Sequence, residues 1–93
     1  MIRHVVMWSL KDKNTAGEVK TRLLTMPEHI PQIKKIEVKT NIDSSSTTHD
    51  IILITFHDTE EELYGYQNHE YHQEIKKFIP QYCTNRACID FYD

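Results

Sequence analysis

The stretch HDIILITFH, residues 49–57, has the strongest strand character in the chain. In an extended strand, successive side chains point to opposite faces. The apolar residues of this stretch occupy both faces: Ile51 and Leu53 on one, and Ile52, Ile54 and Phe56 on the other. A strand that is apolar on both faces is covered on both faces in the folded protein. The stretch therefore predicts a sheet with another layer packed against each side.

The segment IRHVVMWSL, residues 2–10, has the same character at the start of the chain. Its apolar residues divide between the two faces: Ile2, Val6, Trp8 and Leu10 on one, and Val5 and Met7 on the other. Two further strands are predicted, KKIEVKTNI at residues 34–42 and TNRACIDFYD at residues 84–93, and each has one apolar face. In the last strand the apolar and the mixed face alternate: Ala87, Ile89 and Phe91 against Arg86, Cys88 and Asp90.

Two helices are predicted between these strands, each from a T-x-x-E capping box at its start: Thr15 with Glu18, and Thr59 with Glu62. The first helix is expected to carry apolar residues at helical spacing and to end at two prolines: Val19, Leu23 and Met26, then Pro27 and Pro31. The second is expected to last until about Pro80. The polar run SSSTTH, residues 44–49, predicts a loop.

The predicted order is β-α-β-β-α-β, which is the ferredoxin-like α+β arrangement of a four-stranded antiparallel sheet with both helices on one face. At 93 residues the chain forms one domain, residues 1–93. The helix-free face of the sheet would be bare in a monomer, although two strands are apolar there. We therefore expect a homodimer that joins two sheets through these faces and forms a dimeric α+β barrel.

Charge and composition argue against several classes of partner. The formal net charge is −3, and the lysines are scattered, so nucleic acid is not an expected partner. No apolar run is long enough to span a bilayer, and the first residues do not resemble a signal peptide, so no membrane is expected. Cys83 and Cys88 would lie on opposite faces of one strand, which disfavours a disulfide between them. Free thiols favour the reducing cytoplasm.

Four segments in this order resemble the stress-responsive A/B barrel (Dabb) family over nearly the whole chain: MIRHVVMWSLKD, HDIILITFHDTEEL, GYQNHEYHQEI and ACIDFYD. Members of that family are dimeric α+β barrels, and most have no assigned chemistry. One branch contains plant polyketide cyclases of the olivetolic acid cyclase type, which close a linear polyketide by aldol condensation without a cofactor.

The resemblance to those cyclases implies a catalytic pair, with His72 as the base and Tyr66 as a hydrogen-bond donor. His69 corresponds to the first histidine of their His-Pro-x-His turn, but Glu70 stands where the family usually has proline. Proline would force the helix to break after His69, whereas glutamate only permits a break. In one continuous helix Tyr66 would point away from the apolar stripe. The sequence therefore leaves the convergence of Tyr66 and His72 open.

The same resemblance implies a binding pocket for a small apolar or carbonyl-containing molecule. The expected pocket residues come from three strands and the histidine turn: His4, Val6, Trp8, Ile52, His69, Arg86 and Cys88, with Ile54 and Asp90 beside them. Trp8 is large enough that it could instead fill the space and close the core. His29, His49 and His57 fall in or beside predicted loops and are expected to be solvated.

His69 and His72 are candidate metal ligands, together with His4 and the nearby acidic residues Glu70 and Glu74. The spacing is not that of the H-E-x-x-H zinc signature, and no further cluster completes a tetrahedral set. We therefore expect no metal and no cofactor. Three functions remain open: a cofactor-independent acid–base enzyme acting on a carbonyl or polyketide-like compound, a non-catalytic stress-responsive ligand-binding or structural homodimer, and a cofactor-free monooxygenase.

Overall fold

The computed structural model describes residues 1–43, 45 and 48–93, so residues 44, 46 and 47 of the predicted SSSTTH loop lie outside the described part. The elements follow in chain order: β1 (Ile2–Leu10), a 3-10 turn (Lys13–Thr15), α1 (Ala16–Leu23), α2 (Met26–His29), β2 (Lys35–Thr40), β3 (Ile51–His57), α3 (Glu60–Asn68), α4 (Glu70–Phe78), a second 3-10 turn (Ile79–Gln81) and β4 (Cys83–Tyr92).

The four strands form one sheet in the order β2-β3-β1-β4, and every neighbouring pair is antiparallel. This is the ferredoxin-like α+β fold that the order of elements predicted. Each of the two predicted helical regions is divided into two helices. In the first region α1 ends at Leu23 and α2 begins at Met26, with Pro27 in its first turn. Proline is tolerated there because a first-turn amide has no intrahelical partner.

Only one of the two predicted capping boxes forms as a cap. The Thr59 side chain accepts a hydrogen bond from the Glu62 amide at 3.1 Å and so caps α3 as expected. The Thr15 side chain makes no cap, so that prediction was wrong. Instead, Asp12 accepts from the Asn14 amide at 2.9 Å and caps the 3-10 turn that precedes α1. A carboxylate is as good a cap as a hydroxyl, and Asp12 comes first along the chain.

The register between β1 and β3 decides which apolar face meets the helices. Val6 pairs with Leu53, and Met7 pairs with Ile52. Paired residues share a face of the sheet, and Val6 and Leu53 are both buried on the helix side. Ile52 therefore lies on the helix-free face. The prediction that Ile52 lies beside His4 and Trp8 was wrong. The same prediction for Ile54 was also wrong, because Ile54 pairs with Val5 on the helix-free face.

The helix-free face is apolar along three strands. Val5, Met7, Ile52 and Ile54 line its centre and are half-buried. Ile89 and Phe91 lie beside them on β4, and they are 61% and 41% exposed. Large apolar side chains gathered on one exposed face mark an interaction surface.

No helix within the described residues is long and apolar enough to cross a membrane.

Candidate functional site

The helical region after β3 breaks at His69. Here the backbone is extended, with φ −64° and ψ 141°, between the end of α3 at Asn68 and the start of α4 at Glu70. His69 serves both helices. Its amide donates to the Tyr66 carbonyl at 3.2 Å, and its Nδ1 accepts from the Tyr71 amide at 3.0 Å. A side chain that caps the new helix satisfies one of its free amides, so the break forms without proline at position 70.

Because of this break, Tyr66 and His72 face the same space. Their ring centroids lie 4.5 Å apart, with the planes inclined at 50°. Tyr66 is fully buried, and its ring also contacts His4 at 5.5 Å and His57 at 5.0 Å between centroids. Three histidines therefore surround one tyrosine ring.

A cavity of about 580 Å³ lies beside this cluster, between the sheet and the helices. That volume is within the range of small-molecule sites, roughly 300–1,000 Å³. Its lining combines apolar residues of sheet and helices with a polar wall: Val6, Trp8, Leu23, Met26, Leu53, Ile75 and Ile79, with His4, Tyr66, Gln67, Asn68, His72, Gln73, Lys76 and Arg86. Trp8 is part of the wall and leaves the space open.

Of the nine residues expected in or beside the pocket, four line this cavity, namely His4, Val6, Trp8 and Arg86. Five do not: Ile52, Ile54, His69, Cys88 and Asp90. Ile52 lies on the other face of the sheet, as described above. His69 turns to the α4 amide that it caps. Cys88 lies beside His4 on the same face of the sheet, with its Sγ 3.8 Å from His4 Nδ1. Gln67, Gln73 and Lys76 were not anticipated, because only the break tells which faces of α3 and α4 meet the cavity.

The hydroxyl of Tyr66 is buried and makes no hydrogen bond of normal geometry among the described residues. The Thr55 hydroxyl lies close enough to act on the pKa of Tyr66, but it is already bonded to His57. Leaving a buried donor unpaired costs about 1–3 kcal/mol. Burial raises the pKa of Tyr66, so the group stays protonated and able to donate at neutral pH. An unpaired donor beside a cavity is suited to a ligand that supplies an acceptor.

His72 is held in one tautomer. Its Nδ1 lies 2.9 Å from the Gln67 carbonyl oxygen, which only accepts, so Nδ1 carries the proton and donates. The basic nitrogen of the neutral ring is therefore Nε2. Burial lowers the pKa of His72 below 6.5, and the positive charges of Lys76 and Arg86 act in the same direction, although the bond to Gln67 opposes them. His72 is neutral at pH 7.

His4 is buried and pairs with Asp90, with 2.5 Å between Nδ1 and the carboxylate oxygen. Cys88 approaches the same nitrogen, so this is not a Cys-His-Asp relay, in which the thiol and the carboxylate use different nitrogens. Burial and the Asp90 charge raise the pKa of the Cys88 thiol, which disfavours the nucleophilic thiolate. The ligand atoms of His4, Cys88 and Asp90 lie within 4.8 Å of one another, so among the described residues these three form a group that could hold a metal ion.

His57 is a correction to the sequence analysis, which placed it in solvent. It is fully buried, its Nδ1 donates to the Gln32 carbonyl at 2.7 Å, and its Nε2 accepts from the Thr55 hydroxyl at 2.8 Å. Strand parity was the signal, because His57 continues the helix-side set of Ile51, Leu53 and Thr55. His29 is exposed as expected, and its ring stacks on Tyr71 at 4.0 Å. His49 is only half-buried and bonds to the Asn85 carbonyl at 2.9 Å.

Solved structures similar to this chain share its fold almost end to end. A Bacteroides fragilis protein, described as dimeric, ferredoxin-like and of unknown function, is 26% identical with a TM-score of 0.84, over 99% of this chain and 95% of its own. Hydroxynitrile lyase from Passiflora edulis is 10% identical with a TM-score of 0.83, over 97% and 90%. HapK from Hahella chejuensis is 6% identical with a TM-score of 0.81, over 100% and 92%. No curated protein sequence matches the chain.

A sequence model of one family matches residues 2–93, and its description is the stress responsive A/B barrel domain. The match includes every strand and helix described above. The order of elements, the sheet topology and the family match agree. The chain therefore belongs to the stress responsive A/B barrel (Dabb) domain family.

Proposed function

We propose that this protein binds a small, largely apolar carbonyl compound and acts on it by cofactor-independent acid–base chemistry. His72 is the base, and Tyr66 is the hydrogen-bond donor. The observation that carries the proposal is the contact between the two rings at one cavity, with the Tyr66 hydroxyl unpaired. The resemblance to polyketide cyclases, in which a tyrosine and a histidine at these positions act together, points to a polyketide-like substrate.

The proposed step is proton removal beside a carbonyl group. His72 Nε2 takes the proton from the carbon next to the carbonyl. The electron pair of that C–H bond forms the new C–C double bond, and the π pair of the carbonyl group moves onto its oxygen. Tyr66 donates a hydrogen bond to this developing oxyanion while keeping its own proton. A positioned base contributes about 10²–10⁴-fold to such a rate, and a donor held in a dry site stabilises the charge as it forms.

The rest of the lining positions the substrate. We assign Val6 and Trp8 to the apolar body of the ligand, and His4 to the polar wall, where Asp90 holds its ring. Arg86 lies at the polar end of the cavity. Cys88 contacts His4 from the same face of the sheet, and His69 acts by capping α4 at the break between the two helices.

A generic probe tests the base without knowledge of the natural substrate. Nitrobenzisoxazole loses its ring C–H proton to a base, its N–O bond breaks, and a coloured cyano-nitrophenolate forms. We expect the purified protein to accelerate this reaction, His72→Ala to abolish the acceleration, and Tyr66→Phe to lower it about tenfold or more. His29→Ala is the matched control, because His29 is exposed and does not line the cavity.

The pH profile of the same reaction gives a second readout. Because the pKa of His72 lies below 6.5, the rate should be constant above neutral pH and fall as pH drops below 6.5. Equal rates in His72→Ala and His29→Ala would refute the assignment of His72 as the base. Saturable binding of the probe without turnover would then assign the protein to the ligand-binding class, and oxygen consumption with a quinol would indicate a monooxygenase.

We also propose that two copies pair through the helix-free face of the sheet and so form the closed barrel. The exposed Ile89 and Phe91 lie on that face, and the Bacteroides fragilis neighbour is described as dimeric. Burial of each such side chain contributes about 1.5–3 kcal/mol. A reducing compartment, the cytoplasm, is proposed because Cys83 and Cys88 are both free, and fractionation of cells that express the tagged chain tests it.

A further inference from the structure

The charge at the cavity has the opposite sign to that of the whole chain. The protein has a formal net charge of −3 from 14 acidic and 11 basic residues. Yet the cavity lining includes two cations, Lys76 from α4 and Arg86 from β4, and no carboxylate. Neither cation forms an ion pair within the described ranges 1–43, 45 and 48–93.

These two cations lie at the solvent end of the cavity. Both side chains are exposed, whereas apolar lining residues such as Val6, Leu23 and Leu53 are buried. Both charges also act on His72, because Lys76 and Arg86 each lower its pKa. The cations and the proposed base therefore border the same space.

A second observation points to a ligand that carries oxygen acceptors. The Tyr66 hydroxyl is fully buried beside the cavity and makes no hydrogen bond of normal geometry within the described residues, so an occupant that accepts its hydrogen bond relieves the cost of burying it. Gln67 and Gln73 add amide groups to the same lining. The lining thus combines apolar, hydrogen-bonding and cationic side chains.

We propose that the natural ligand is an amphiphilic carboxylate whose apolar chain lies against Val6, Trp8 and Leu53 and whose carboxylate lies between Lys76 and Arg86. Arginine presents a planar fork that matches the two oxygens of a carboxylate, and lysine adds a mobile point charge. The reactive carbonyl would then lie between the ends of the molecule, beside Tyr66 and His72. This inference names the substrate class of the proposed function and rests on it for the carbonyl alone.

Calorimetric titration of the full chain with three ten-carbon probes tests this inference: decanoate and decyl phosphate below their micelle concentrations, and 1-decanol below its solubility limit. We expect decanoate to bind at least about tenfold more tightly than 1-decanol at low salt, and this preference to shrink as salt is added. Arg86→Gln and Lys76→Gln should each weaken decanoate binding about three- to tenfold and leave 1-decanol binding unchanged.

Lys77→Gln is the matched control, because Lys77 is an exposed neighbour on the same helix that does not line the cavity. Equal affinity for decanoate and 1-decanol would overturn the inference, and so would an equal loss in Lys77→Gln. Tighter binding of decyl phosphate would overturn the carboxylate assignment. Selective decanoate binding without nitrobenzisoxazole turnover would refute only the proposed acid–base chemistry. His72-dependent turnover without a preference for decanoate over 1-decanol would refute only the assignment of a carboxylate ligand.

Discussion

Substitution of Glu70 by proline tests whether the helix break is intrinsic to this chain. Glu70 is the first residue of α4 and follows the extended His69. Proline is favoured at a first helical position, because its fixed φ suits the helix and its missing amide hydrogen was unpaired there. It also favours an extended conformation in the residue before it, which His69 already has, with ψ 141°.

Two opposing terms set the expected size of the effect. A proline that fits the native backbone stabilises by about 0.4–1 kcal/mol, because the unfolded chain loses freedom. Removal of the negative charge of Glu70 from the first turn costs about 0.3–1 kcal/mol. The net change in the free energy of unfolding should thus be within about 1 kcal/mol of zero. Glu70→Ala removes the charge alone, and Glu70→Pro should exceed it in stability.

Urea unfolding followed by circular dichroism measures these differences. In a thermal scan, each kcal/mol of change should shift the melting temperature by about 4–8 °C. Gln73→Pro is the control, because the Gln73 amide donates to the His69 carbonyl at 3.1 Å inside α4. Loss of that bond and the clash of the ring with the same carbonyl should cost about 3 kcal/mol or more.

A loss of about 2 kcal/mol or more in Glu70→Pro would refute the reasoning. It would mean that α3 and α4 form one continuous helix in solution, in which Tyr66 points away from the cavity. The proposed pairing of Tyr66 with His72 would then be abandoned.

Three further predictions concern stability and assembly. Tyr66→Phe should raise the free energy of unfolding by about 1 kcal/mol, because a buried hydroxyl without a partner is removed; a lower melting temperature would contradict this. Burial lowers the pKa of His57 and His72 below 6.5, so the unfolded chain binds protons more readily. Unfolding free energy should therefore hold above pH 6.5 and decline as pH falls below it, less steeply in His72→Gln than in the parent chain. Ile89→Glu should weaken the dimer at least about 100-fold in sedimentation velocity; equal weakening in Tyr64→Glu, on α3, would exclude the sheet face as the interface.

Much of the site was predictable from strand periodicity and family resemblance. The alternation of β1 placed His4, Val6 and Trp8 on one face, and that of β4 placed Arg86, Cys88 and Asp90 on one face. What periodicity could not supply was the register between strands. Ile52 was assigned to the wrong face because β3 is apolar on both sides, and only its pairing with Met7 shows which side meets the helices.

His57 was missed because an expectation about loops was given more weight than strand parity. The residue ends β3, and its side chain continues the buried row of that strand. Its two ring nitrogens find partners in Gln32 and Thr55. Gln32 is distant from His57 in sequence, and the two residues meet only in the folded chain. A buried polar residue whose partner is distant in sequence is therefore difficult to recognise from the sequence.

The sequence by itself determined the order of strands and helices, the antiparallel sheet and its apolar helix-free face, because these follow from local periodicity and turn residues. The tertiary structure alone decided the break at His69, the convergence of Tyr66 and His72, and the cationic end of the cavity at Lys76 and Arg86. The physical reason is that glutamate at position 70 permits either a straight or a broken helix. The choice between them depends on the His69 cap and on burial of Tyr66 against the sheet, which are contacts that no local pattern records.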